Sequence, residues 1–181
     1  HYLNETAAQA IARSTHAEAE EIIRQALALL EDPDVIRERG ERTRLAFALH
    51  AKLGDCLTAS RGYADTAVRE AYGHAADLSR ELDAETPGLM TVLAGLCGYY
   101  ATTGDHDAAV RVSTWQIERA EQTGDSHDFL IASLSHAIAL FSLGRATESA
   151  EWIERCQTTY DRRLHNPSVK FAVTDPGVQS M

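Results

Sequence analysis

The residue types that could do chemistry in this 181-residue chain are eight histidines, three cysteines and 27 carboxylates. Glu70 and His74 lie four positions apart, so on a helix they share one face. A metal site would need further ligands converging there, and we expect an ordinary surface pair instead. His136 falls at an inward position of the apolar pattern described below, where we expect a hydrogen-bonded interior histidine. The histidines therefore predict no metal site.

The cysteines are Cys56, Cys97 and Cys156, an odd number with no CxxC pair and no cysteine–histidine spacing typical of metal ligands. A catalytic thiol needs a base and an activating environment, and the only histidine close in sequence is His50, six positions before Cys56. We predict three reduced, buried thiols in a cytoplasmic protein.

Motifs for nucleotide binding and hydrolysis do not occur: GxxxxGK[ST], GxGxxG, GxSxG and HExxH are all missing from the sequence. Neighbouring carboxylates such as Glu20 and Glu21, or Glu81 and Asp83, are typical of solvated helix faces rather than of an acid–base pair. The sequence thus predicts no catalytic residue and no cofactor.

The formal net charge of −10 argues against nucleic acid as a partner, because an acidic surface repels phosphate groups. No basic stripe with interleaved aromatic residues offsets this charge. The sequence contains no run of 18 apolar residues, so no membrane span is predicted. The first residues lack the pattern of a signal peptide. We therefore expect neither nucleic acid nor membrane as a partner.

Apolar residues recur at helical spacing along most of the chain, whereas alternation with a period of two does not occur over any useful length. This pattern predicts an all-α fold without a sheet. We expect eight helices, the first before Ser14 and the others over the apolar stripes at 19–30, 45–57, 68–82, 89–100, 109–117, 130–141 and 146–160.

Helix breaks fall at residues with a physical reason to interrupt a helix. Pro33 lacks a backbone donor and ends the stripe before it. Thr86 and Pro87 predict an N-cap followed by proline at the first helical position. Three glycines are expected at helix ends, each followed by a new start: Gly104, Gly124 and Gly144. Asp125 or Ser126 would cap the helix after Gly124.

The apolar pattern fails after residue 160. Asn166-Pro167 and Asp175-Pro176-Gly177 predict turns with little periodicity between them. We therefore divide the chain into a helical repeat array at 1–160 and an irregular connection or tail at 161–181.

An internal repeat determines the fold prediction. The turn at 104–109 aligns with the turn at 144–149, an offset of 40 residues. Large or inward residues Leu53, Leu96 and His136 occupy one equivalent position, and each is followed by a small residue. Small residues allow paired helices to approach closely, while large ones fill the space between pairs. The pattern predicts about four antiparallel helix pairs.

These residues resemble the tetratricopeptide repeat, whose first helix carries a large residue, Leu, a small residue and Tyr, and whose second helix carries small residues around an aromatic one. Leu53, Gly54, Tyr72 and Ala75 match in one repeat. The usual period is about 34 residues, so a period near 40 implies longer helices. The resemblance implies an α–α superhelix of about four hairpins. A HEAT-like stack, with a period of about 40 to 47 residues, is the structural alternative.

A more specific resemblance links the chain to large bacterial signalling proteins in which an adenylate/guanylate cyclase or other output domain precedes a regulatory ATPase of the STAND kind and a tetratricopeptide array. It is carried by the segments at 53–63, 96–100, 140–144, 160–161 and 175–178 in this order. It implies that the chain is a fragment, and that catalytic and nucleotide-binding parts lie elsewhere in the parent protein.

The resemblance also implies that first helices line a concave groove able to hold a helix or an extended peptide. The groove residues it nominates are Asn4, Asp55, Thr58, Gly98, Thr102, Ile138 and Phe141. We expect a non-catalytic protein-binding or sensing segment that regulates an output domain, with a protein, a peptide or other domains of the parent chain as partner. The alternatives are a free-standing scaffold, a module that forms homodimers through exposed end hairpins, and an enzyme with an unfamiliar helical site.

Overall fold

The computed structural model describes the backbone of residues 2–32, 34–82 and 86–160, and the side chains of these ranges from residue 15 onward. Within them the chain is helical and contains no strand, which confirms the all-α prediction. The helices are α1 (Tyr2–Leu30), α2 (Arg39–Arg61), α3 (Thr66–Leu78), a short 3-10 helix (Ser79–Glu81), α4 (Leu89–Thr103), α5 (His106–Thr123), α6 (Ser126–Ser142) and α7 (Ala146–Thr159). The predicted tail at 161–181 lies outside the described residues.

The prediction of eight helices was wrong at the amino-terminal end. The expected helix before Ser14 and the stripe at 19–30 form one continuous helix, α1. Ser14 and Thr15 were interpreted as a break, but neither Gly nor Pro lies between Tyr2 and Leu30. Alanine-rich sequence on both sides of Ser14 has strong helix propensity, and a lone Ser-Thr pair costs too little to interrupt it.

Side-chain caps begin several helices, and the cap predicted after Gly124 is one of them. The carboxylates of Asp65, Asp105 and Asp125 accept hydrogen bonds from backbone N–H groups in the first turns of α3, α5 and α6. Asp125, not Ser126, is the cap of α6. Gly104, Gly124 and Gly144 have positive φ angles of 85°, 68° and 77° at the ends of α4, α5 and α6, which confirms that these glycines end helices.

The predicted start of α4 was wrong by two residues. Pro87 does not occupy the first helical position, because α4 begins at Leu89. Instead the Leu89 N–H donates to the Thr86 carbonyl at 3.3 Å, and Gly88 has a φ angle of +87°. Proline followed by a glycine with positive φ is the sequence of a type II turn, and this turn precedes the helix.

The chain divides into two compact units between Gly95 and Leu96. In unit 1, α2 packs against both α1 and α3. The inward residues of α2 include Phe47, Leu53 and Leu57, all buried. Leu45 was expected in the same stripe but is 40% exposed. The strict four-residue spacing of 45, 49, 53 and 57 misplaced the start of the buried face, since that face drifts around a helix with 3.6 residues per turn.

In unit 2, α6 packs against α5 on one side and α7 on the other. Cys97 of α4, Ala109 of α5 and Ala139 of α6 form one buried cluster. Leu130, Leu134 and Cys156 form a second cluster between α6 and α7. Small residues at the first cluster allow three helices to approach closely.

All three cysteines are free and buried, which confirms that part of the prediction. Each thiol lies close to a backbone carbonyl of a neighbouring helix: Cys56 Sγ is 3.0 Å from the His16 carbonyl oxygen, and Cys156 Sγ is 3.8 Å from that of Leu130. Burial raises the pKa of the Cys97 and Cys156 thiols to about 11. These thiols therefore stay protonated and act as small core residues.

Candidate functional site

The predicted groove residues of unit 2 lie on α4 and α6. Ile138 is 48% exposed and Phe141 is 68% exposed, although Ala137, Ala139 and Leu140 beside them are buried. Gly98 is half-buried and Thr102 exposed on α4. Cys97 Sγ lies 3.7 Å from the Ser135 carbonyl oxygen, so α4 and α6 are adjacent at this level. Residues Gly98, Thr102, Ile138 and Phe141 are called the α4–α6 face below.

The predicted residues of unit 1 lie on α2, where Asp55 is exposed and Thr58 half-buried. The Tyr72 hydroxyl of α3 donates a hydrogen bond of 2.7 Å to Oδ1 of Asp55. Partial burial raises the pKa of the Asp55 carboxyl, and the bond from Tyr72 opposes that rise. Asp55 is therefore held in one orientation by a group from another helix.

Tyr72 itself is held by two glycines. A Cβ atom added at Gly54 would lie 2.4 Å from a carbon of the Tyr72 ring, and one added at Gly95 would lie 2.3 Å from it. Both distances are far below any van der Waals contact, so the ring occupies space that only glycine leaves on α2 and on the first turns of α4. The position of Asp55 thus depends on Gly54 and Gly95 as well as on Tyr72.

Asn4, the remaining predicted groove residue, belongs to α1, where the structure describes its backbone but not its side chain. The structure therefore places three predicted residues on unit 1, two of them with described side chains, and four on unit 2.

His136 makes the contacts expected of an interior histidine. Its Nδ1 lies 2.9 Å from the Ser113 hydroxyl of α5, and its ring meets the Trp152 ring of α7 edge to face at 5.0 Å between centroids. Burial lowers the pKa of His136, the nearby Arg145 charge lowers it further, and Glu148 opposes both effects. The neutral imidazole is the form that fits this place.

An open cavity of about 470 Å³ lies among α1, α2, α3 and the short 3-10 helix of unit 1. No sequence pattern predicted this cavity. Its lining combines four apolar residues with polar and charged ones: Leu27, Leu30, Ala46 and Leu78, and Glu31, Arg42, Thr43, His50, His74, Asp77 and Glu81. Residues from α1 and α3 meet here although they lie more than 40 positions apart, and no local pattern signals such a meeting.

Two histidines face each other at this cavity, one from α2 and one from α3. The rings of His50 and His74 lie 5.1 Å apart between centroids, inclined by 38°. Burial lowers the pKa of His50, and the charge that His74 would carry lowers it further. His74 was predicted to pair with Glu70 on its own helix, but the contact that the structure shows is the one with His50.

Among residues 15–32, 34–82 and 86–160, no three His, Cys, Asp or Glu side chains are arranged to hold a metal ion. None of the helices within the described ranges has both the length and the apolar character needed to cross a bilayer.

Comparison of the chain with protein-family models, with curated proteins and with solved structures found no match.

Proposed function

We propose that this chain is a non-catalytic, tetratricopeptide-like helical module that binds a peptide or protein segment through the α4–α6 face. The observation that carries the proposal is the exposure of Ile138 and Phe141, two large apolar side chains three positions apart on one helix. Residues three apart are neighbours on a helix surface. Neighbouring exposed apolar side chains on a helix that lies close to α4 suit the apolar side chains of a bound helix or extended segment.

Two contacts in unit 2 support the repeat on which this function rests. Cys97 Sγ of α4 lies 3.7 Å from the carbonyl oxygen of Ala109 on α5. Ser149 Oγ of α7 donates a 2.8 Å hydrogen bond to the carbonyl of Ala137 on α6. Positions 97 and 137, like positions 109 and 149, are 40 residues apart. The contact between positions 97 and 109 of α4 and α5 therefore has an equivalent between positions 137 and 149 of α6 and α7. The donor lies on the first helix in one pair and on the second helix in the other.

The proposal can be tested by selecting peptides on the intact chain from a displayed random library. We expect enriched sequences to share apolar residues at helical or alternating spacing. They should bind at least tenfold more weakly to the double variant Ile138→Ser/Phe141→Ser. Because both side chains are exposed, the double substitution should change the free energy of unfolding by less than about 1 kcal/mol.

The matched control is Val35→Ser, which removes another exposed apolar side chain, 52% exposed, outside the α4–α6 face. Peptide affinity should be unchanged in this variant. Enriched peptides that bind the double variant as tightly as the wild type would contradict a binding role for this face.

We further propose that the module belongs to a signalling protein and senses a partner on behalf of an output domain, such as a nucleotide cyclase or a transcriptional regulator. The support is the resemblance of the segments between 53 and 178 to the helical region of such proteins. Sequencing the gene on both sides of this segment tests the proposal. A STAND-type ATPase region in the same reading frame would agree with it, and an unrelated enzyme domain would contradict it.

Self-association is the second candidate function, and α1 carries the observation that favours it. Ile22 and Leu29 are 66% and 63% exposed and lie seven positions apart, so they form a second apolar strip on this helix. If two copies pair through this strip, sedimentation should show a concentration-dependent dimer that Ile22→Glu/Leu29→Glu abolishes. A monomer at all concentrations would exclude this candidate and leave the peptide-binding proposal untouched.

A further inference from the structure

We propose that the cavity among α1, α2 and α3 of unit 1 binds a small organic cation with an apolar body, such as a primary arylalkylamine. This site lies in unit 1, whereas the α4–α6 face proposed for peptide binding lies in unit 2. The two proposals can therefore fail independently.

The volume and the apolar lining of the cavity suit a small amphipathic molecule. Its volume of about 470 Å³ falls in the range of about 300–1,000 Å³ typical of ligand pockets. Its apolar lining consists of Leu27 and Leu30 of α1, Ala46 of α2 and Leu78 of α3. All four side chains are only partly buried, so an apolar group placed among them would remove apolar surface from water.

The charge around the cavity favours a cation. Glu31 directly after α1, Asp77 of α3 and Glu81 of the 3-10 helix line it, against one lining guanidinium, Arg42. An Nη atom of Arg42 donates at 3.1 Å to the Ile36 carbonyl in the segment between α1 and α2, which ties the guanidinium to that segment. The charge of the lining residues is therefore negative when both imidazoles are neutral.

Two arginines on the rim pair with two of these carboxylates and offset the lining charge in formal count. Arg80 lies 3.7 Å from Asp77, and Arg39 lies 2.9 Å from Glu81. The four side chains are between 52% and 78% exposed, so these pairs are well screened by water. Neither Arg39 nor Arg80 lines the cavity itself.

His50 makes the site dependent on protonation. The neutral imidazole of His50 presents a polarisable ring to a ligand, whereas an imidazolium at this position would repel a bound cation. Nδ1 of His50 is buried without a hydrogen-bond partner among the described residues, so a proton added there finds no acceptor. Cation binding and imidazole protonation should therefore oppose each other reciprocally.

The test is a titration of the intact, ¹⁵N-labelled 181-residue chain at pH 7.5 with phenethylamine, and in parallel with 2-phenylethanol and 3-phenylpropanoate. We expect the amine to shift the backbone resonances of Ala46, His50, His74 and Leu78. The alcohol should bind at least threefold more weakly, and the carboxylate should produce no saturable shift. Equal binding of alcohol and amine, or tighter binding of the carboxylate, would overturn the proposal.

Variants separate this site from general attraction to an acidic protein. Glu31→Gln and Asp77→Asn should each weaken amine binding about two- to fivefold, the range expected for an exposed charge pair. Glu18→Gln removes an exposed carboxylate of α1 outside the lining and should have no effect. If Glu18→Gln weakens binding as much as the two lining variants, the amine is attracted by net charge alone and the proposal is wrong.

Two further measurements complete the test. Ala46→Phe fills the floor of the cavity and should abolish the saturable shifts while the helical circular dichroism stays unchanged. Lowering the pH from 7.5 to 5.5 should weaken amine binding in the wild type and weaken it less in His50→Gln. Binding that survives Ala46→Phe, or that strengthens in acid, would overturn the proposal.

Discussion

Two helices, α3 in unit 1 and α5 in unit 2, pack against their neighbours in opposite ways. Tyr72 of α3 places a buried aromatic ring against Gly54 and Gly95, and its hydroxyl reaches Asp55. Ser113, 41 positions later on α5, is also fully buried but small, and His136 of α6 supplies the volume and the hydrogen-bond partner. The large side chain therefore belongs to α3 itself in unit 1, whereas in unit 2 the neighbouring helix α6 supplies it to α5.

This difference determines which substitutions should reduce the stability of each unit. In unit 1 the stabilising contribution is burial of a large ring in a space made by missing side chains, which depends on shape. In unit 2 it is a hydrogen bond between two partly or fully buried polar groups, which depends on proton positions. Unit 1 should therefore respond most to changes of volume, and unit 2 to changes of polarity and pH.

The largest expected effect is that of Tyr72→Ala. Removing a buried aromatic side chain costs about 3–5 kcal/mol of unfolding free energy, because the cavity closes only partly. Tyr72→Phe keeps the ring and loses the hydroxyl with its bond to Asp55, so it should cost about 0.5–1.5 kcal/mol. Urea denaturation of both variants checks the ratio. Equal losses would show that the hydroxyl, not the ring volume, dominates.

Adding a side-chain atom at either glycine that contacts the Tyr72 ring should lower the stability nearly as much. Gly54→Ala and Gly95→Ala each place a Cβ within 2.4 Å of a Tyr72 ring carbon, and overpacking of this kind costs about 1–3 kcal/mol. Gly73 lies beside Tyr72 on α3 with nothing within 4 Å of its added Cβ. Gly73→Ala should instead stabilise by about 0.5–1 kcal/mol through helix propensity. Thermal unfolding of the three variants distinguishes local packing from a general effect of alanine.

In unit 2, Ser113→Ala should cost about 0.5–1.5 kcal/mol, because it removes the hydroxyl that partners Nδ1 of His136. The adjacent Thr114 provides the control, since it is exposed and its hydroxyl bonds only within its own helix, to the Val110 carbonyl at 2.9 Å. Thr114→Ala should change stability by less than about 0.5 kcal/mol. If both substitutions have the same effect, the bond between α5 and α6 is not the stabilising contact.

The smallest expected effect is a pH dependence. The pKa of His136 in the folded chain is lowered from its ordinary value of 6.5, mainly by burial. Below pH 6.5 the unfolded chain therefore binds more protons than the folded chain, and stability should fall as the pH drops until it passes the folded pKa. His50 should add a loss of the same sign. His136→Gln and His50→Gln should each flatten the curve of unfolding free energy between pH 7.5 and 5.

Much of the helical framework follows from local chemistry. Asp65, Asp105 and Asp125 cap helices because a short carboxylate next to a glycine-containing turn reaches the first free N–H groups. The same local reasoning failed at Ser14, where cap-forming residues sit inside α1, and at Pro87, where Gly88 converts a helix start into a turn. Caps require both a suitable residue and a break before it, and only the first is visible at Ser14.

The candidate sites were less accessible to prediction. The family resemblance nominated Ile138 and Phe141, and their role stays a prediction. The Tyr72–Asp55 bond and the His50–His74 pair join residues 17 and 24 positions apart on α2 and α3. Which side chains face each other there depends on how far one helix is rotated about its axis. That rotation is set by packing at Gly54 and Gly95, not by any spacing within a single helix.

The three free cysteines provide a built-in reporter of local opening. Cys56 lies on α2, Cys97 on α4 and Cys156 on α7, and each is buried against a carbonyl of a neighbouring helix. A thiol reagent reaches such a side chain only when the helices around it separate. The alkylation rate of each cysteine, resolved by mass spectrometry, would therefore measure how often each helix contact opens in the native chain, without any introduced label.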